Sequence, residues 1–270
     1  MLIVLLTCIL ILVYFVNFYF NPDVYEKYIN QKRIIFLTKK NATKYLLENG
    51  DGYYDRFYKK DLEVRHVKSV DEYKKLILKS TCSFTRNEMD KLKHAIYNIH
   101  VKINAKIQNL KYSKSPLIYQ DVNLIKLNNL TWKLGLICSH GYENGLPHTR
   151  GDIIFIHRND IENYSLKKLE KTLVHEFIHI YQKKYQNEVD IYLTLHNFKK
   201  VKKRSSEDNI RANPDLDDYI YQDNDHNTYK AVYNVNANSV EDVTYYPEDN
   251  QKWEHPNEKM AIEFEKILVD

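Results

Sequence analysis

Between Leu166 and Tyr185 no Gly or Pro interrupts the chain, and Leu166, Leu169, Leu173, Phe177 and Ile180 recur at the spacing of one helical face. An apolar stripe of this kind has to be covered, so the chain must fold around an amphipathic helix laid on a core. Asn163 or Ser165 can cap its start, and Lys183 and Lys184 suit the negative end of its dipole. The same helix carries His175-Glu176-Phe177-Ile178-His179. Residues four apart lie one above the other on a helix, so both imidazoles point the same way and can share a metal ion. Glu176, beside the first imidazole, can reach a water on that metal and take its proton. Imidazole suits zinc, and two nitrogens leave room for a third protein ligand and a water. A solvated helix face with two ordinary histidines is the bland alternative. The uninterrupted apolar stripe, which would hold the pair rigidly, argues against it.

A glycine and a third histidine within the next six residues would mark the metzincin class, but Gln182 and Tyr185 stand there instead. His175–His179 followed by Asn257-Glu258-Lys259-Met260-Ala261 resembles the gluzincin zinc metallopeptidases. The resemblance spans the two helices and the strand before them, roughly half the chain. It implies an α+β fold with a zincin-like catalytic domain and one zinc ion held by His175, His179 and Glu258. It also implies peptide-bond hydrolysis with Glu176 as general base. The closing segment fits a helix, since Pro256 suits a first turn and Ala261, Ile262, Phe264, Ile267 and Leu268 supply an apolar face. One departure stands out. Thermolysin-like gluzincins carry an Asp four residues after the ligand Glu to orient a zinc histidine, and here that position is Ile262. Glu207, Asp215, Asp217, Asp218, Asp225 and Glu241 compete with Glu258 for the third place, and His226 is a further candidate. The polar stretch from Lys200 to Asn250 that holds them reads as solvated, with short strands or a cleft floor within it.

Stabilising a developing oxyanion requires a donor near the metal. Tyr245, Tyr246 and His255, just before the closing helix, are the candidates, although with 23 Tyr in the chain most must simply pack. Upstream, Gly151 to His157 reads as a strand, and the neighbouring Leu146 to Arg150 as a sheet edge. By analogy with zinc peptidases, His148, Thr149 and Ile153 are where an extended peptide or protein substrate would touch. Two other outcomes fit the same motif: an inactive zincin-like fold serving as a binding or structural protein, and a zinc hydrolase acting on something other than a peptide.

Residues 1–20 contain no charged side chain, enough apolar length to span a bilayer, and Tyr14, Phe18, Tyr19 and Phe20 at one end. They predict a single-pass signal anchor, and thus a membrane localisation with the membrane as partner. Lys27, Lys32, Arg33, Lys39 and Lys40 follow that segment and lean the catalytic part toward the cytoplasmic side. With 3 Cys, one of them Cys8, only Cys82 and Cys138 remain beyond it, fewer than a disulfide-stapled secreted domain uses. Residues 21–115 read as a mostly helical N-terminal region and 116–270 as the catalytic domain. The near balance of 40 basic and 36 acidic residues implies no nucleic-acid partner. The bias toward Lys, Asn, Ile and Tyr suggests an AT-rich genome and resembles proteins of large DNA viruses.

Overall fold

The structure, a computed structural model, describes residues 34–112, 118–119, 122–247 and 253–270. In chain order the elements begin with strand β1 (Ile34–Phe36), helix α1 (Lys39–Glu48), α2 (Lys59–Glu63), α3 (Val70–Ser80), β2 (Thr81–Cys82) and α4 (Arg86–Tyr112). The short strands β3 (Ile118–Tyr119) and β4 (Val122–Asn123) and helix α5 (Leu124–Asn128) lead to β5 (Trp132–Ile137), β6 (His148–Arg150), β7 (Ile153–His157) and α6 (Arg158–Asn163). The motif helix α7 (Leu166–Lys184) and α8 (Gln186–Leu195) follow. Then come β8 (Lys199–Lys203), β9 (Tyr219–Gln222), β10 (Thr228–Tyr233), β11 (Val243–Tyr246) and α9 (Pro256–Val269).

The central sheet runs β1-β5-β7-β6, with β2 paired to the far end of β5 on the edge that β1 also uses. β5 is parallel to β1 and β7, while β6 is antiparallel to β7 and forms the sheet edge nearest the motif helix. Strand alternation divides β7 between two cores. Ile154 and Ile156 join the cluster built by α4, α7 and α9, whereas Ile153 and Phe155 face the cluster of α1 and α3. Trp132 lies flat on Phe177 of α7, with ring centroids 3.7 Å apart, and fixes helix to sheet. Its indole N–H donates to His100 Nε2 at 2.8 Å, so the one polar atom of this large buried ring is satisfied. Gly135 allows the close crossing of β5 and β7, because a Cβ there would stand 2.4 Å from the Phe155 ring.

The α+β class holds, but the membrane-spanning helix attached to it, and the single-pass membrane localisation, are corrected. No helix among the described residues is long and apolar enough to cross a membrane. The 27-residue α4 has the length, but it buries one stripe through Leu92, Ile96, Ile99 and Ile103 and carries Lys, Asn and Asp elsewhere. Residues 1–20, on which the anchor was placed, lie outside the described residues. Residues 34–112 also do more than form a helical layer. β1 and β2 complete the central sheet, and α4 packs on the motif helix. Cys82 and Cys138 are joined and tie β2 to the end of β5 with Cα atoms 6.1 Å apart. The polar stretch after Lys200 holds a second, antiparallel sheet in the order β11-β10-β9-β8.

Candidate metal centre and its cleft

Ser165 caps α7 by accepting from Lys168 N, and Leu169, Leu173, Phe177 and Ile180 are buried as the periodicity requires. α9 starts at His255, whose Nδ1 accepts from Asn257 N at 3.1 Å, with Pro256 in the first turn. The two helices pack along each other through Met260, Ala261 and Phe264 of α9 and the apolar face of α7. That packing sets Glu258 opposite the two histidines. His175 Nε2 lies 3.1 Å from His179 Nε2 and 3.1 Å from Glu258 Oε2, and His179 Nε2 lies 3.5 Å from Glu258 Oε1. Among the described residues these three form a group whose donor atoms all fall within 4.8 Å of one another.

Ligand atoms about 2.0–2.1 Å from a tetrahedral zinc stand roughly 3.3 Å apart, the spacing observed here. The hydrogen bonds around the group settle what those atoms offer. Glu265 Oε1 takes the Nδ1 hydrogen of His175 at 2.6 Å. Gln182 donates through Nε2 to Asn257 O at 2.9 Å, so its Oε1 is the acceptor facing His179 Nδ1 at 2.8 Å. In its neutral form each imidazole is thereby held with the hydrogen on Nδ1 and the lone pair on Nε2. Two nitrogen lone pairs and a carboxylate oxygen then converge, an arrangement that a cation satisfies. The residues fit zinc.

The carboxylates around the rings also set the charges of the group. Burial opposes a charge on His175, but the bonds from Glu258 and Glu265 outweigh it and raise the group well above its usual range. Burial lowers His179. Glu258 would be raised by burial, yet His179 and His175 hold it far below the ordinary carboxylate range. Glu176 behaves differently. Burial first, and then the charge of Asp215, push it well above its usual value. Its Oε2 is buried without a hydrogen-bond partner. A carboxylate kept basic and unpaired beside two convergent imidazoles is equipped to take a proton.

His175, Glu176 and Glu258 line a cleft of about 460 Å³ together with His148, Arg211 and Asp215. Of the donors expected near the oxyanion, Tyr245 is not among the residues lining the cleft, and its phenol is raised by burial and, in smaller part, by Glu254 and Glu258. Tyr246 lies under Lys230 on the other face of β11. His255 has both ring nitrogens engaged, by Asn257 N and by Asp217 at 2.9 Å. His148 lines the cleft, but its Nδ1 faces Leu146 O at 2.8 Å and its Nε2 faces Tyr142 Oη at 3.2 Å. Thr149 sits on the edge strand with its outward backbone already bonded. Its N–H donates to Asp215 Oδ1 at 2.5 Å, and its C=O accepts from Lys183 Nζ at 2.9 Å. Ile153 is buried in the core on the far face of the sheet.

The competing acids disperse. Asp217 holds His255, Asp218 pairs with Arg56 and Arg204, and Glu241 accepts from Asn144. Glu207, Asp225 and His226 are exposed. Asp215 alone of these reaches the cleft. Sequence reasoning missed Glu265, Gln182 and Arg211. The first two had a signal, since Glu265 lies two turns after Glu258 on the same helix face and Gln182 lies one turn after His179. Arg211 had none, because the second sheet places it. Comparison with protein-family models, with curated proteins and with solved structures returned no match.

Proposed function

We propose that this chain is a zinc-dependent metallopeptidase of gluzincin type. The convergence of two Nδ1-protonated imidazoles and one carboxylate beside an unpaired Glu176 carries the reading. His175, His179 and Glu258 would hold the metal, which when bound lowers the pKa of water and polarises a carbonyl. Glu176 removes a proton from the attacking water and returns it to the departing amine. Glu265 and Gln182 keep both imidazoles turned toward the centre. Arg211, paired with Glu254, supplies a hydrogen-bond donor in the cleft that Glu258 also lines.

The test is Glu176→Gln in the full chain, measured for zinc content and for hydrolysis of a peptide library. The expected result is unchanged zinc with a loss of at least about 100-fold in kcat. A variant that binds zinc and cleaves peptides at the wild-type rate would remove Glu176 from the base role. One observation favours a second reading. Because the outward backbone of Thr149 is taken, hydrolysis of a non-peptide amide or ester by the same centre also fits. Chelator-sensitive turnover of small esters or amides, with none of peptides, would select it.

A further inference from the structure

Two cavities lie in series along the motif helix. The metal cleft, about 460 Å³, is lined from Lys168 through Thr172 to Glu176, and a second cavity of about 400 Å³ continues past Gln182, Lys183 and Gln186. Pro214 and Asp215 line both, so the turn they form stands as a partition across what would otherwise be one groove. The partition is anchored on every side. Ala212 N donates to Asp61 Oδ1 at 2.9 Å, and Asn213 Nδ2 donates to Glu254 Oε1 at 2.7 Å. Pro214 O accepts from Lys183 Nζ at 2.9 Å, and Asp215 Oδ1 accepts from the Thr149 backbone at 2.5 Å and from the Thr149 hydroxyl at 2.8 Å. Asp61 is itself buried and Lys183 half-buried, so moving this turn means breaking shielded polar contacts. It is a wall.

A cleft with a wall beside its catalytic centre accepts only a chain end on that side. The charges say which end. Asp215 Oδ2 takes no hydrogen bond from any described residue, and Glu176 Oε2 in the same cleft is likewise unpaired. Lys183 spends its ammonium hydrogens on Thr149 O, Thr149 Oγ1 and Pro214 O, while Arg65 and Arg211, which also line the cleft, are paired with Glu143 and Glu254. The walled end is therefore an acceptor of positive charge, while Lys168 and Lys171 line the opposite end.

We infer that the walled end of the cleft receives the free amino terminus of a peptide, with Asp215 pairing the α-ammonium group, so that the chain is an aminopeptidase. This rests on the metallopeptidase reading and names its substrate class. Water adds its hydroxyl to the first residue's carbonyl carbon as that carbonyl's bond to the second residue's nitrogen breaks. The released amine takes the remaining proton, leaving a free amino acid and a shortened peptide.

The experiment compares the full chain, loaded with zinc, on one peptide with a free or an N-acetylated amino terminus, with products identified by mass. Stepwise loss of residues from the free peptide is expected, with kcat/KM at least about 100-fold lower for the acetylated one. Asp215→Asn should raise KM for the free peptide more than it lowers kcat and narrow the ratio between the two substrates, at unchanged zinc content. Chelator-sensitive internal cleavage of both peptides at similar rates would overturn the aminopeptidase inference and leave the metallopeptidase reading standing. Chelator-sensitive hydrolysis of neither would overturn both. An Asp215→Asn protein that keeps the full preference would remove Asp215 from the role, whatever the wild type prefers.

Discussion

Replacing Glu265 with Ala tests whether the metal centre is held in the way its hydrogen bonds indicate. The carboxylate meets His175 Nδ1 at 2.6 Å, in the range of a charge-assisted bond, and both side chains are mostly buried. It sets the ring's orientation and turns Nε2 toward His179 and Glu258. Partners of this kind are worth about 10- to 100-fold in metal affinity, or roughly 1.4–2.7 kcal/mol. The upper half of that range is expected here. The bond is short and mostly shielded from water, so its loss frees a ring that nothing else orients. The assay is a competition titration of the full chain against a chromophoric zinc chelator. Glu263→Ala serves as the control, since Glu263 accepts from the Tyr192 hydroxyl at 3.3 Å on another face of α9. Zinc affinity within twofold of wild type for Glu265→Ala, alongside a large loss for Glu258→Ala, would refute the reasoning.

Two further outcomes follow from the framework around the site. Alkylation of never-reduced protein should label Cys8 alone, and reduction should lower stability by up to about 4 kcal/mol for the 56-residue separation that Cys82–Cys138 closes; labelling of all 3 cysteines before reduction would contradict the bridge. Glu143 is buried, and although burial raises it, Arg65 holds it below its usual value. Its folded pKa is therefore the lower one, so its contribution is complete above about pH 4.3 and fades as the pH falls through the folded value. Chemical denaturation at pH 7 and pH 3 should show a steeper acid loss in wild type than in Glu143→Gln, and equal slopes would dismiss the group.

The parts of the site legible in the sequence were those fixed by a helical period. Leu169, Leu173 and Phe177 announce the buried face of α7, and that face dictates where His175, Glu176 and His179 point. Glu258 was reachable the same way, through Pro256 and the apolar run behind it. Short strands carry no period to read. β1 has 3 residues and β2 has 2, so both vanish into flanking helical patterns although they complete the sheet. The second sheet was hidden for another reason. β8 is Lys-rich and exposed along its length, and the burial of β10 alternates through Tyr, Lys and Ala, so neither looks apolar enough to be a strand. Arg211 and Asp215 inherit that obscurity, because only the pairing of Arg211 N with Ala231 O and of Asp215 with Thr149 brings them to the metal helix.

Ile262 shows how position and role separate. The family pattern places an acid one turn after the ligand glutamate, and its absence left the centre without an orienting carboxylate on sequence grounds. A helix offers that face again two turns on, where Glu265 reaches His175 from farther along α9. What the centre requires is an acceptor at Nδ1, and any residue on the same stripe within reach of the ring satisfies it. His179 meets the same requirement with an uncharged group, Gln182, whose amide is oriented by the carbonyl of Asn257, the residue immediately before Glu258. The bond links the helix carrying Glu258 to the ring of His179. A displacement of α9 that moved Glu258 would therefore also release Gln182, so the geometry of all three donors depends on one helix–helix interface.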